Sequence, residues 1–227
     1  HVDLMTNSTE NLSSISLDVI TCRRCPRLVE WREKVGTEKR KAFRDVDYWA
    51  KPVPGFGDEN ARVMVLGLAP GAHGSNRTGR MFTGDDSGRF LYSALYKAGF
   101  ASKGISSSRD DDLSLKNLWI TAICRCVPPA NKPNVEEIKN CRPFLKREFD
   151  ALRNLQGIVA LGKFAFDAAL EITQMEHTRL KFGHGVFIEG DTFHPWILAS
   201  YHPSRQNTQT GRLTTAMFDD IWCTVKE

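Results

Sequence analysis

The chain has 227 residues, 41% hydrophobic and 26% charged, and its 31 Lys and Arg against 27 Asp and Glu leave a formal charge of +4. That apolar content builds a sizeable core and excludes a disordered chain, while so small a charge does not by itself name a polyanionic partner. No apolar run approaches the roughly 18 residues of a membrane-spanning helix and no charged-then-apolar segment opens the sequence, so a soluble cytosolic protein with no membrane partner is expected.

In chain order, residues 1–4 precede Met5 and read as a tag remnant, and the polar stretch to residue 15 reads as a flexible leader, leaving one domain over 16–227. Helical spacing carries Leu17, Ile20, Leu28 and Trp31, broken by a turn at 22–26, and residues 36–60, basic and then rich in Pro and Gly, form a long loop. Four apolar runs (63–68, 118–123, 158–161 and 197–200) are each long enough for one buried strand. Helical stretches at 88–98, 134–152, 163–172 and 213–225 alternate with them. The alternation predicts an α/β fold: a three-layer α/β/α sandwich around a central, mainly parallel four-stranded sheet. Ligands of such sheets sit beyond the carboxyl ends of the strands. Nothing in the chain advertises an interface, so a monomer is expected.

Three of those strand ends run into polar loops. The first opens Gly67-Leu68-Ala69-Pro70-Gly71-Ala72-His73 and continues through Asn76, Arg77, Arg80, Phe82 and Asp85; the second is Arg125-Cys126-Val127-Pro128-Pro129; the third is His202-Pro203-Ser204-Arg205. The first loop is not a phosphate-binding Walker loop, because no Gly-Lys-Ser/Thr closes it. Its glycines let backbone N–H groups approach a ligand, and Phe82 offers a flat ring to a planar one, unless it is simply a core residue. His202 at its strand end is either a surface histidine or a neutral N–H donor toward charge developing on a leaving group. Basic clusters at 23–27 and 39–41 and at Arg77 and Arg80 are most simply a solvated face.

The chain has six cysteines. Cys22 and Cys25 form C-x-x-C, and Cys126 and Cys141 are separated by fourteen residues. Four thiolates so placed suit an iron–sulfur cluster; the wide second pair leans away from a zinc ribbon, and buried unligated thiols are the third reading. Cys124 shares a strand face with Cys126 and is a possible substitute ligand, though a core thiol is the simpler assignment. Cys223 reads as packing.

Taken together, the motifs at 67–71, 76–85, 125–129 and 202–204 and the four cysteines resemble the uracil-DNA glycosylase superfamily, and within it family 5, over nearly the whole chain. The resemblance implies a DNA-repair enzyme, nucleoid-associated in the cytoplasm, that flips uracil and other deaminated bases such as hypoxanthine out of DNA and hydrolyses the N-glycosidic bond. It implies a [4Fe-4S] cluster held by Cys22, Cys25, Cys126 and Cys141. Family 4 relatives carry Glu, which supports the attacking water, where this chain has Leu68, and that places the resemblance in family 5; many relatives carry an Asn near Ala122, and its loss points to a broad specificity set by shape, backbone groups and other side chains.

In that frame Phe82 stacks on the flipped base, His202 and the N–H groups of Gly67 to Gly71 steady the departing base, and Asp85 is the first candidate to handle the water. Asn76 and His73 are the runners-up, and Asp85 serves equally well as a cap for the helix beginning near Ser87. Arg77, Arg80 and Arg205 would grip the strand, with Ser204 and its loop pressing into the gap left by the base. The competing functions are a non-catalytic module that recognises damaged DNA, kept open by the apolar Leu68, and a zinc-stapled protein acting on free nucleosides.

Overall fold

A computed structural model of the chain describes residues 10–176 and 178–226. Residues 1–9, which hold the stretch read as a tag remnant and the first part of the expected leader, lie outside the described residues. The rest of the leader does not match its expectation. Asn11 caps a helix, α1 (Leu12–Thr21), by accepting from Ser14 N, and the helix buries Leu12, Ile15 and Val19 rather than Leu17, which is 66% exposed. Each buried aliphatic side chain contributes about 1.5–3 kcal/mol, enough to order a polar segment that composition marks as loose. Helix α2 (Pro26–Glu38) follows with Pro at its first turn, where the missing N–H costs nothing.

The sheet has six strands, not four. The four apolar runs form β2 (Val63–Gly67), β3 (Leu118–Ala122), β4 (Gly157–Leu161) and β6 (Trp196–Ser200), all mutually parallel. Two-residue edge strands, β1 (Phe56–Gly57) on β3 and β5 (Phe187–Ile188) on β6, pair antiparallel and close the order β1-β3-β2-β4-β6-β5. The parallel strands are buried along nearly their whole length, which explains why they read as continuous apolar runs without alternation.

Helices cover both faces. Two short helices, α3 (Ser75–Thr78) and α7 (Arg205–Gln209), sit in the loops after β2 and β6, while α4 (Asp86–Lys97), α5 (Val135–Ala151), α6 (Lys163–Ile172) and α8 (Thr215–Lys226) form the outer layers. One core joins α1, α5 and α6 to one face of the sheet through Ile15, Phe144, Phe166 and Ile158. The other joins α4 and α8 through Leu91, Leu95, Phe218 and Trp222. The chain therefore leaves β2 toward one face and neighbouring β4 toward the other. That switch opens a crevice beyond Gly67 and Gly162, where the loops after β2 and β6 meet through Phe82 and His202, while the loop after β3 turns to the cysteines. No helix among the described residues is long and apolar enough to cross a membrane.

Candidate active site and cysteine centre

Phe82 is placed by its backbone. Its φ of 51° lies in the left-handed region, costly for a bulky residue, and the surrounding loop holds it there. Tyr92 donates to Met81 O at 3.0 Å, and Thr83 bonds Ser106 at 2.6 Å. The ring lies over Gly67, where an added Cβ would sit 3.0 Å from Cζ. A Cβ at Gly88 would fall 1.7 Å from the Phe82 carbonyl oxygen, so a glycine is required for α4 to approach this turn. Phe82 is 9% exposed and packs in the core, as one of the two expectations for it has it, with its ring near His202.

His202 arrives from the other side. Gly162, at a φ of 97°, leaves room for it, with the His202 Cβ 3.5 Å from the position a Cβ would take there. The imidazole and the Phe82 ring have centroids 5.9 Å apart and planes 30° from parallel. Asn207 Nδ2 donates to the His202 carbonyl at 2.9 Å, and Ser204 caps α7 by accepting from Asn207 N. Packing around the half-buried ring disfavours its charged form and lowers the pKa to about 4, so it is neutral at neutral pH. Ala122 pairs with Gly67 in the sheet register and is buried, and Leu68 is half-buried against the opposite core. Neither puts a polar side-chain group into the crevice.

Asp85 caps α4 by accepting from Gly88 N at 2.9 Å through Oδ1, which meets the structural expectation for it. Its Oδ2 lies beside Gly71 and Gly74, 3.0 and 2.0 Å from where their Cβ atoms would be. Burial raises its pKa, with the Gly88 N–H opposing. His73 accepts from or donates to Tyr48 OH at 3.0 Å, and burial with Arg40 and Arg77 lowers its pKa. Tyr48, in the long loop, carried no sequence signal. Asn76 is fully buried, its Nδ2 3.4 Å from Arg32 O and its Oδ1 without a partner. It stiffens the loop, and the crevice does not reach it.

The expected arginine grip divides. Arg80 is 4% exposed and bonded to Thr83, Ser106 and Asp111, the last at 2.7 Å, so it cannot reach a phosphate. Its chemistry is internal: a buried guanidinium needs a buried partner, and Asp111 answers with a pKa lowered to about 2. Arg77 is also committed inward, to His73 O at 2.7 Å and Gly84 O at 2.9 Å, over the Phe43 ring. Arg205 remains: it is exposed, with only Asp86 nearby at 3.9 Å. It lines an open cleft of about 790 Å³ beside the crevice, with His73, Asp85 and Arg89.

Cys22, Cys25, Cys126 and Cys141 line one small cavity, with Arg32 and Phe144. Cys22 ends α1 and Cys25 begins α2, so C-x-x-C spans the break between those helices. Cys126 follows β3, and Cys141 lies on α5, whose start carries a capping box of Asn134 and Glu137. Arg27 bonds Glu137 at 2.6 Å, fastening α2 against α5 and so bringing the two pairs together. The Cys124 thiol lies outside the cavity; beside Cys141 it is held above the ordinary thiol range and Cys141 below it. Among the described residues no three Cys, His, Asp or Glu side chains are close enough to share one metal ion.

Comparison with known proteins agrees with this geometry. Residues 54–226 match the family model described as the uracil DNA glycosylase superfamily. A type-5 uracil-DNA glycosylase of Thermus thermophilus is 52% identical over 202 residues, covering 88% of this chain and 90% of its own. Its counterpart from Mycobacterium tuberculosis is 48% identical over 212 residues, 92% and 78% of the two chains. A type-4 uracil-DNA glycosylase of Archaeoglobus fulgidus stands further off, 28% identical over 198 residues, 86% and 82% of the two. With the type-5 relatives so much nearer than the type-4 one, the chain belongs to the uracil-DNA glycosylase superfamily and to its type-5 branch.

Proposed function

We propose that this chain is a DNA-repair glycosylase that hydrolyses the N-glycosidic bond of uracil in DNA and also accepts hypoxanthine, leaving an abasic site. The observation that carries the reading is the meeting of Phe82 and His202 at the sheet's switch point.

Cutting the bond leaves negative charge on the base and positive charge on the sugar. A mismatched base leaves the stack most cheaply, enters the crevice and lies against Phe82. The neutral His202 donates an N–H to the base as its charge grows, and the main-chain N–H groups from Gly67 to Gly71 add to it. One such preorganised donor supplies about 10²–10³-fold in rate. The free oxygen of Asp85 faces the glycines of the same loop and is the group best placed to orient water. Ala122 and Leu68 offer no side-chain amide or carboxylate to the base edge. Losing a bidentate amide relaxes discrimination by ~1–3 kcal/mol, which is why hypoxanthine joins uracil as a substrate.

The four cavity cysteines hold a [4Fe-4S] cluster in this reading. The donor set fits: four free thiols line one small cavity, with the buried Arg32 guanidinium beside Cys126. When bound, the cluster would cross-link the end of α1, the start of α2, the loop after β3 and α5.

The test is incubation of anaerobically purified protein with duplexes carrying one U·G, I·T or unmodified pair, followed by alkali. Cleavage at both U and I is expected. Tight binding without cleavage would leave the damage-recognition module, and uncut I·T would confine the enzyme to uracil.

A further inference from the structure

Arg32 is an arginine in the wrong place for a surface helix. It occupies the buried stripe of α2 with Leu28, Val29 and Val35, and is 2% exposed. A guanidinium taken from water requires an anion beside it. The neighbouring arginines have theirs: Arg27 is bonded to Glu137 and Arg125 to Glu148. The nearest carboxylate to Arg32 is Glu33 at 3.9 Å, and Arg23 already engages it at 2.6 Å. Instead Arg32 Nη1 points at Cys126 Sγ at 3.0 Å and Cys22 O at 3.2 Å, while its Nε has no partner.

The same residue faces the catalytic loop. Its main-chain carbonyl accepts from Asn76 Nδ2 at 3.4 Å. Asn76 in turn donates its N–H to Gly71 O at 3.0 Å and accepts from Ala50 N at 3.0 Å. A short path of hydrogen bonds thus leads from a cluster ligand to the loop that carries Gly71, Asp85 and Phe82.

We propose that Arg32 is the counter-cation of the cysteine centre and the positioning residue through which an occupied centre orders the 71–84 loop. Four thiolates around a [4Fe-4S] core carry net negative charge, and Arg32 is the buried cation that balances it while donating to the Cys126 thiolate. The proposal rests on the cluster reading above.

The test compares wild-type holoprotein with Arg32→Met and Arg32→Lys, all isolated anaerobically. Iron content, the rate of visible bleaching in EDTA and air, and amide exchange across 71–84 are measured. Loss of a partner to a metal ligand typically costs 10–100-fold in metal affinity, so Arg32→Met should bleach roughly tenfold faster and exchange faster in 71–84. Arg32→Lys should keep the charge and recover part of the cluster lifetime; it also serves if the Met variant does not fold. Iron-loaded Arg32→Met that bleaches and exchanges as wild type overturns the role of Arg32 alone. Wild-type protein without iron overturns the cluster reading, and this proposal with it.

Discussion

Phe82 and His202 come from different strand ends, yet their rings approach to 5.9 Å between centroids at 30°. That is the separation of two rings already in contact, and sandwiching a base would take about twice the ~3.4 Å stacking rise. In the proposed function the base would therefore lie against Phe82 with its edge toward His202, which suits a histidine that donates a hydrogen bond rather than one that stacks.

His202 is neutral well below pH 7, since burial lowers its pKa to about 4. Single-turnover excision of uracil should show no inflection from this group between about pH 5 and 8, and His202→Ala should lose about 10²–10³-fold with its iron intact. The linkage has a definite sign. A histidine whose folded pKa lies below its ordinary value binds fewer protons in the native state, so its contribution is complete above about pH 6.5 and is lost as pH falls toward 4. The loss is at most about 3 kcal/mol. Urea midpoints measured across that window should fall with acidity less steeply in His202→Gln than in wild type.

Asp85 has two oxygens with two tasks: Oδ1 caps α4, and Oδ2 faces Gly71 and Gly74. Asparagine caps a helix as well as aspartate does but holds no charge to orient water. Asp85→Asn should thus keep the melting temperature and lose at least tenfold in excision, while Asp85→Ala should lose both, with about 1 kcal/mol of stability. Wild-type excision by Asp85→Asn would confine this residue to capping.

Arg80 and Arg205 should separate in salt titrations of DNA binding. Arg80 is locked to Asp111, Ser106 and Thr83, next to Phe82, whereas Arg205 stands free at the cleft. Arg205→Ala should reduce the slope of log K against log salt by about 1, the mark of one lost phosphate contact. Arg80→Ala should leave that slope unchanged and lower stability by several kcal/mol, because Asp111 is left unpaired. A lowered slope in Arg80→Ala would return it to the DNA face.

The four central strands were legible because a strand buried on both faces is an uninterrupted apolar run, and the outer helices α4, α5, α6 and α8 because their periodicity is strong, whereas the start of α1 and the short α3 and α7 were not. The two edge strands were not, since Phe56–Gly57 and Phe187–Ile188 are too short to show any period. The motif residues Phe82, His202 and Asp85 were legible as a set, but not that Arg80 is internal: its partner Asp111 is 31 positions away, and no local pattern announces it. Arg32 did leave a trace, as a charge at a position of α2 where Leu28, Val29 and Val35 set an apolar stripe.

The ion pair of Arg125 and Glu148 supports the cysteine centre from beneath. The two residues are 1% and 0% exposed, joined by bonds of 2.9 and 2.7 Å, and Thr121 Oγ1 donates to the same carboxylate at 2.7 Å. Arg125 also accepts from Val53 N at 2.7 Å through its carbonyl, and Cys126 follows it directly in sequence. Glu148→Gln keeps the shape and removes the charge, leaving Arg125 a buried cation without an anion, which costs about 3–5 kcal/mol. Replacing both partners, Arg125→Met with Glu148→Leu, removes the desolvation cost with the attraction and should restore most of that stability. Urea unfolding of the two variants measures the difference. If the pair only stabilises, the double variant should also hold iron as wild type does. If the pair fixes where Cys126 points, the double variant should unfold like wild type and still load less iron, and that second outcome is the one expected, because the carbonyl bond to Val53 sits on a main chain that the guanidinium now anchors.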